Sequence, residues 1–96
     1  MSERQGRYRV KADANQAEIV QALQAAGYRV FDTHTVGHGF PDLCVQAASG
    51  DILLFEIKGK NGSLTEAEEA FHRAWGCWQL RIVRTAEDAI EAARTS

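Results

Sequence analysis

Ninety-six residues suffice for one domain spanning 1–96, with a modest core from a hydrophobic fraction of 45%. A formal net charge of −2 argues against a protein that coats nucleic acid through bulk positive charge. No apolar run approaches membrane-spanning length, the polar start Met1–Arg7 lacks a signal-peptide core, and Cys44 and Cys77 form no Cys-x-x-Cys pair. The chain is therefore expected to be cytoplasmic, with free thiols and no zinc site.

Along the chain, residues 1–12 carry Arg4, Arg7, Arg9 and Lys11 around Tyr8 and Val10. The alternation fits a short edge strand, a basic arm that follows a phosphate backbone, or a solvated terminus. Asp13 or Asn15 can cap a helix that runs to about Ala26 and stops at Gly27. Ala17, Ile19, Val20, Leu23 and Ala26 fall near one stripe of it, with Glu18 at the border. The composition of that turn also suits Glu18 as a first-turn acid beside the helix dipole.

Tyr28-Arg29-Val30-Phe31 begins a strand expected to continue to Val36. His34 and His38 are four apart, but Gly37 and Gly39 argue against a helical two-histidine metal site and for a tight turn. Asp42–Ala47 reads as a second strand, Ala48-Ser49-Gly50-Asp51 as a turn, and 51–58 as a third strand, giving an antiparallel hairpin. Gly59-Lys60-Asn61-Gly62-Ser63 is a loop without P-loop spacing, so no nucleotide cofactor is expected. Ser63 or Thr65, with Glu66 or Glu68, caps a helix whose stripe is Leu64, Ala67, Ala70, Phe71, Ala74 and Trp75. Gly76 ends it, Gln79–Val83 is a short strand, and Thr85 caps a last helix with Ala89, Ile90 and Ala93 inward. Trp75 and Trp78 are expected in the core or in a dimer contact rather than as base-stacking platforms.

The chemistry concentrates in residues 37–58. Strand residues two apart share a face, so Glu56 and Lys58 lie together with Ile52 and Leu54, while Leu53, Phe55 and Ile57 fill the other face. The hairpin brings Asp42 across from them. Charges at such positions are costly unless paired or bound to a metal. Two converging carboxylates suit Mg²⁺, which takes one or two carboxylates together with waters and phosphate oxygens. A neighbouring lysine can orient a water or offset phosphate charge, which points to metal-assisted phosphodiester hydrolysis. A bare Glu-x-Lys on an exposed strand end is common. Its conjunction with Gly37-His38-Gly39-Phe40-Pro41-Asp42-Leu43 is not.

The set Gly37–Leu43, Phe55-Glu56-Ile57-Lys58-Gly59, Leu64-Thr65, Phe71-His72 and Trp75 resembles the PD-(D/E)xK nuclease superfamily, and more narrowly its small stand-alone VRR-NUC domains from phages and bacteria. The resemblance runs from about Asn15 to Ala89. It implies an α/β, restriction-endonuclease-like core, a central mixed four-stranded sheet flanked by helices. It also implies a DNA endonuclease in which Asp42, Glu56 and the backbone carbonyl of Ile57 bind Mg²⁺ or Mn²⁺. Glu18 completes the site and Lys58 positions or activates water. Relatives often place Gln where Glu68 stands, a departure that leaves Glu68 outside the expected ligands but still able to point at the site.

Arg7, Arg9, Lys11, His38, Lys60, His72 and Arg73 are candidate nucleic-acid contacts, though an exposed loop position alone accounts for His38. The implied partner is branched or junction DNA, cut by a Holliday-junction-resolvase-like homodimer in a bacterial or phage-infected cell. A nicking or flap endonuclease, a non-catalytic nucleic-acid-binding module and a small interaction protein stay open as alternatives.

Overall fold

In the computed structural model, the backbone is described for residues 3–96 and the side chains for residues 14–96. The element order is α1 (Glu3–Ala25), β1 (Val30–Asp32), β2 (Leu43–Gln46), β3 (Ile52–Ile57), α2 (Glu66–Trp75), β4 (Leu80–Val83) and α3 (Ala86–Thr95). The four strands form one sheet in the order β1-β2-β3-β4. The first three run antiparallel, and β4 joins β3 in parallel through the α2 crossover, which makes the sheet mixed as expected.

Alternation along β2 and β3 decides which face is core. Leu43 opposes Phe55 and Val45 opposes Leu53, and all four are fully buried. They meet Ile19 and Leu23 of α1, Val83 of β4, and Ala89, Ala92 and Ala93 of α3. The alanines let α3 approach closely, and Phe55 is the largest fully buried side chain among the described residues. The second face carries Cys44, Ile52, Leu54 and Glu56, and it is covered only in part.

Three sequence expectations change. Where an edge strand or arm is expected within 1–12, the described residues are helix: α1 begins at Glu3, so neither Asp13 nor Asn15 caps it. Helix propensity along this polar, proline-free stretch outweighs the short alternation around Tyr8. β1 stops at Asp32 instead of reaching Val36, because Asp32 accepts a hydrogen bond from the His34 amide and turns the chain.

The third change concerns α2, whose apolar stripe has no buried residue. Trp75 and Trp78 are 69% and 52% exposed, so neither is core. The crossover helix is held by Lys58 against Glu68, by Gly39 against Ala67 and by Phe40 against Phe71, and Trp75 in its last turn stands in solvent.

Candidate active site

The cleft lies where the ends of β1, β2 and β3 meet the first turn of α2. It is lined by Gln16, His34, Asp42, Glu56, Ile57, Lys58 and Glu68. Because Leu43 pairs with Phe55, Asp42 stands opposite Glu56 at the next position, and both leave the core face. Asp42 is locked from both sides: its amide donates to Phe55 O at 2.9 Å, and its Oδ2 accepts from Ile57 N at 2.8 Å. Thr33 supports the preceding turn, donating its hydroxyl to Pro41 O at 2.8 Å and its amide to Asp42 O at 2.9 Å.

The approach to Asp42 is a left-handed turn. Gly37, His38 and Gly39 have φ of 80°, 59° and 81°. At Gly39 a side chain is excluded as well, since an added Cβ would lie 2.3 Å from Ala67 O. This close approach seats α2 beside the cleft, with Phe40 and Phe71 ring centroids 5.4 Å apart.

Glu56 is 1% exposed, and its Oε1 has no hydrogen-bond partner. Burial, then hydrogen bonding to Asp42 and the charges of Asp42 and Glu68, push its carboxyl up to about 10. A buried carboxyl with a partnerless oxygen beside Asp42 and Glu68 would ionise more readily with a cation in the cleft.

Lys58 turns its ammonium to Glu68 Oε1 at 2.7 Å, and the same oxygen accepts from Thr65 N at 2.8 Å. Glu68 N donates back to Thr65 Oγ1 at 3.2 Å, so the capping box that starts α2 also holds Lys58. Burial raises the Glu68 carboxyl, but Lys58 and the Thr65 amide outweigh it and hold the group below its usual range.

The hairpin therefore gathers Asp42, Glu56 and Lys58 with the backbone of Ile57. Glu18 is exposed and lies outside the cleft; the residue α1 contributes is Gln16. Gln16 donates to Asp32 Oδ2 at 3.1 Å, and Asp32 Oδ1 meets His34 Nδ1 at 2.6 Å. Burial raises the Asp32 carboxyl, yet the His34 amide and ring and the Gln16 amide leave it lowered. Among the candidate nucleic-acid contacts, His38, Lys60 and Arg73 are exposed, whereas His72 is half-buried with an enclosed Nε2. The side chains of Arg7, Arg9 and Lys11 lie outside the described residues.

Sequence reasoning missed Gln16 and His34 as cleft residues and left open whether Glu68 takes part. One helical turn separates Gln16 from the buried Ile19, a spacing that offered a signal. Glu68 had the capping-box spacing, but nothing in the pattern announced that its second duty is Lys58.

Oxygen donors on two carboxylates suit a hard cation such as Mg²⁺ or Mn²⁺, which retains several waters. Among the described residues no group of three or more His, Cys, Asp or Glu is arranged to hold a metal. A cation held by Asp42 and by the partnerless Glu56 Oε1 would need further oxygen ligands, such as the Ile57 carbonyl and waters. No helix among the described residues is long and apolar enough to cross a membrane.

No protein-family model matches the sequence, and no curated protein matches it. A solved structure described as a VRR_NUC domain superposes with a TM-score of 0.62, covering 84% of this chain and 91% of that one at 23% identity. The α/β architecture expected from sequence is thus the fold of a VRR_NUC domain.

Proposed function

We propose that this chain, folded as a VRR_NUC domain, is a metal-dependent DNA endonuclease that hydrolyses phosphodiester bonds. The observation that carries the reading is the buried, partnerless Glu56 Oε1 set opposite Asp42, with Lys58 two residues further on. A protein that only bound nucleic acid would have no use for buried converging carboxylates where phosphates approach. Mg²⁺ or Mn²⁺, bound by Asp42, Glu56 and the Ile57 carbonyl, would polarise the phosphoryl oxygen and lower the pKa of an attacking water.

The remaining steps belong to the chain. Asp42 is held by the Ile57 amide where it lines the cleft. Lys58, gripped by Glu68, donates a hydrogen bond to the attacking water or to a non-bridging oxygen and offsets charge that develops there. The ion pair favours that donor role over a role as general base. Gln16 borders the cleft on the α1 side and can orient a water there. Glu18, being exposed, would act only after a movement of α1.

Structure-specific cleavage of branched DNA by a homodimer is the finer proposal, acting in the cytoplasm of a bacterial or phage-infected cell. Phe31, Val36, Ile52, Trp75, Trp78 and Ile82 are large and exposed, and they supply apolar surface that a second copy would cover. Free thiols at Cys44 and Cys77 suit a reducing compartment.

The test is cleavage of labelled duplex, flap, single-stranded and four-way-junction DNA with Mg²⁺, Mn²⁺ or EDTA, by wild type and Lys58→Ala. Metal-dependent cutting that is lost in the variant supports the enzyme, and the best substrate separates a resolvase from a flap or nicking activity. Well-folded protein that binds DNA and cuts none of the four overturns it in favour of a binding module.

A further inference from the structure

We propose that Arg84 is a positioning residue for Lys58, acting by clamping the turn at residues 59–62; the inference rests on the nuclease reading given above. Lys58 directly follows β3 and is still tied to the sheet, its amide donating to Val83 O at 3.1 Å. From the next position on β4's side, Arg84 sends Nη1 back across the turn. That nitrogen donates to Gly59 O at 2.6 Å and to Gly62 O at 2.8 Å, with Lys60 O at 3.5 Å.

The turn also closes on itself through Gly62 N and Gly59 O at 3.1 Å. It lies against the lysine stem, since a Cβ added at Gly62 would stand 3.5 Å from Lys58 Cβ. Arg84 is itself anchored: its amide donates to Asp88 Oδ2 at 3.0 Å in the first turn of α3.

The physical need is clear from the sequence of the turn. Gly59-Lys60-Asn61-Gly62 has no apolar side chain and two glycines, so on its own it samples many conformations. A charge-assisted guanidinium bond to the carbonyls at both ends selects one of them. Lys58 is then fixed twice, its tip by Glu68 and its stem by the clamped turn. Loss of the clamp leaves the lysine present but misplaced.

Arg84→Ala, Arg84→Lys, Lys58→Ala and the Lys58→Ala/Arg84→Ala double variant are compared on the best-cut DNA with Mn²⁺. Arg84→Ala is expected to lower kcat by about 10- to 100-fold, with KM nearly unchanged and with Arg84→Lys recovering part of the loss. In the Lys58→Ala background, removing Arg84 should change the rate by no more than about twofold, since the two act as one unit. An additive loss, or a raised KM with a shallower salt dependence, would mean that Arg84 touches phosphate directly and would overturn the proposal. So would an unchanged kcat.

A wild type that cuts no substrate sinks the nuclease reading separately. The clamp is then judged by the Lys58 side-chain NMR signals, which Arg84→Ala should move toward those of a solvent-averaged lysine while the core amide signals hold. Should Arg84→Ala fail to fold, Arg84→Gln, which keeps one donor, replaces it in both assays. Lys58 signals unmoved by either variant refute the clamp.

Discussion

Replacing Glu56 by Gln should make the metal-free protein more stable at neutral pH, although it destroys the proposed site. In the folded chain the carboxyl titrates at about 10, against an ordinary value of 4.5. Below pH 4.5 the group is protonated in both states and contributes no penalty. Between the two values the unfolded chain loses the proton and the folded chain keeps it, so stability falls as pH rises. The slope is about 1.4 kcal/mol per pH unit, which at pH 7.5 accumulates to about 4 kcal/mol.

Gln mimics the protonated acid and carries no such penalty. Urea unfolding in EDTA at pH 5, 7.5 and 9 measures this directly, and the difference between wild type and Glu56→Gln cancels the titration of other groups. The variant should gain little at pH 5, up to about 4 kcal/mol at pH 7.5, and more at pH 9. A wild type as stable as the variant across that range would mean that Glu56 ionises freely and needs no cation to do so.

Other outcomes follow from the same geometry. Cation binding requires ionised Glu56, so Mn²⁺ affinity measured by calorimetry should rise by about tenfold per pH unit from pH 6 to 9, with about one proton released per ion. Lys58→Ala should cut the cleavage rate by about 10²- to 10³-fold while DNA binding, followed by fluorescence anisotropy, stays within a few-fold. Gly39→Ala combines a strained backbone with a clash at Ala67 O and should cost at least about 2 kcal/mol in urea unfolding. Phe55→Ala removes the largest fully buried side chain and should cost about 3–5 kcal/mol by the same assay, with the cleft chemistry retained in whatever fraction stays folded.

How much of this was legible beforehand varied with the range of the interactions. The β2–β3 hairpin is written locally, by period-two alternation and a Ser-Gly-Asp turn, so the meeting of Asp42, Glu56 and Lys58 is legible in the sequence. The Thr65 cap was equally local, as was Thr85, which accepts from Asp88 N at 3.0 Å.

What depended on packing was not legible. An apolar stripe shows that α2 has a face to cover, but not whether this chain covers it, and here Trp75 remains outside. The start of α1 was misread because a few alternating residues near Tyr8 carried more weight than the helix-compatible run around them. On α1, Glu18 and Gln16 sit about 200° apart around the axis. Only the docking of that helix on the sheet decides which of them meets the cleft.

The alternation that divides β3 has a consequence for folding itself. Phe55 and Glu56 are neighbours that face opposite ways, one into the apolar core and one into the cleft. A slip of β3 by a single residue would exchange them, driving a carboxylate among Leu43, Ile19 and Leu23 and pushing a phenyl ring against Asp42. Many hairpins tolerate a shifted register because a wrong pairing merely trades one half-buried side chain for another. Here the cleft carboxylates double as a proofreading device: the wrong register is penalised by the same groups that the proposed chemistry requires.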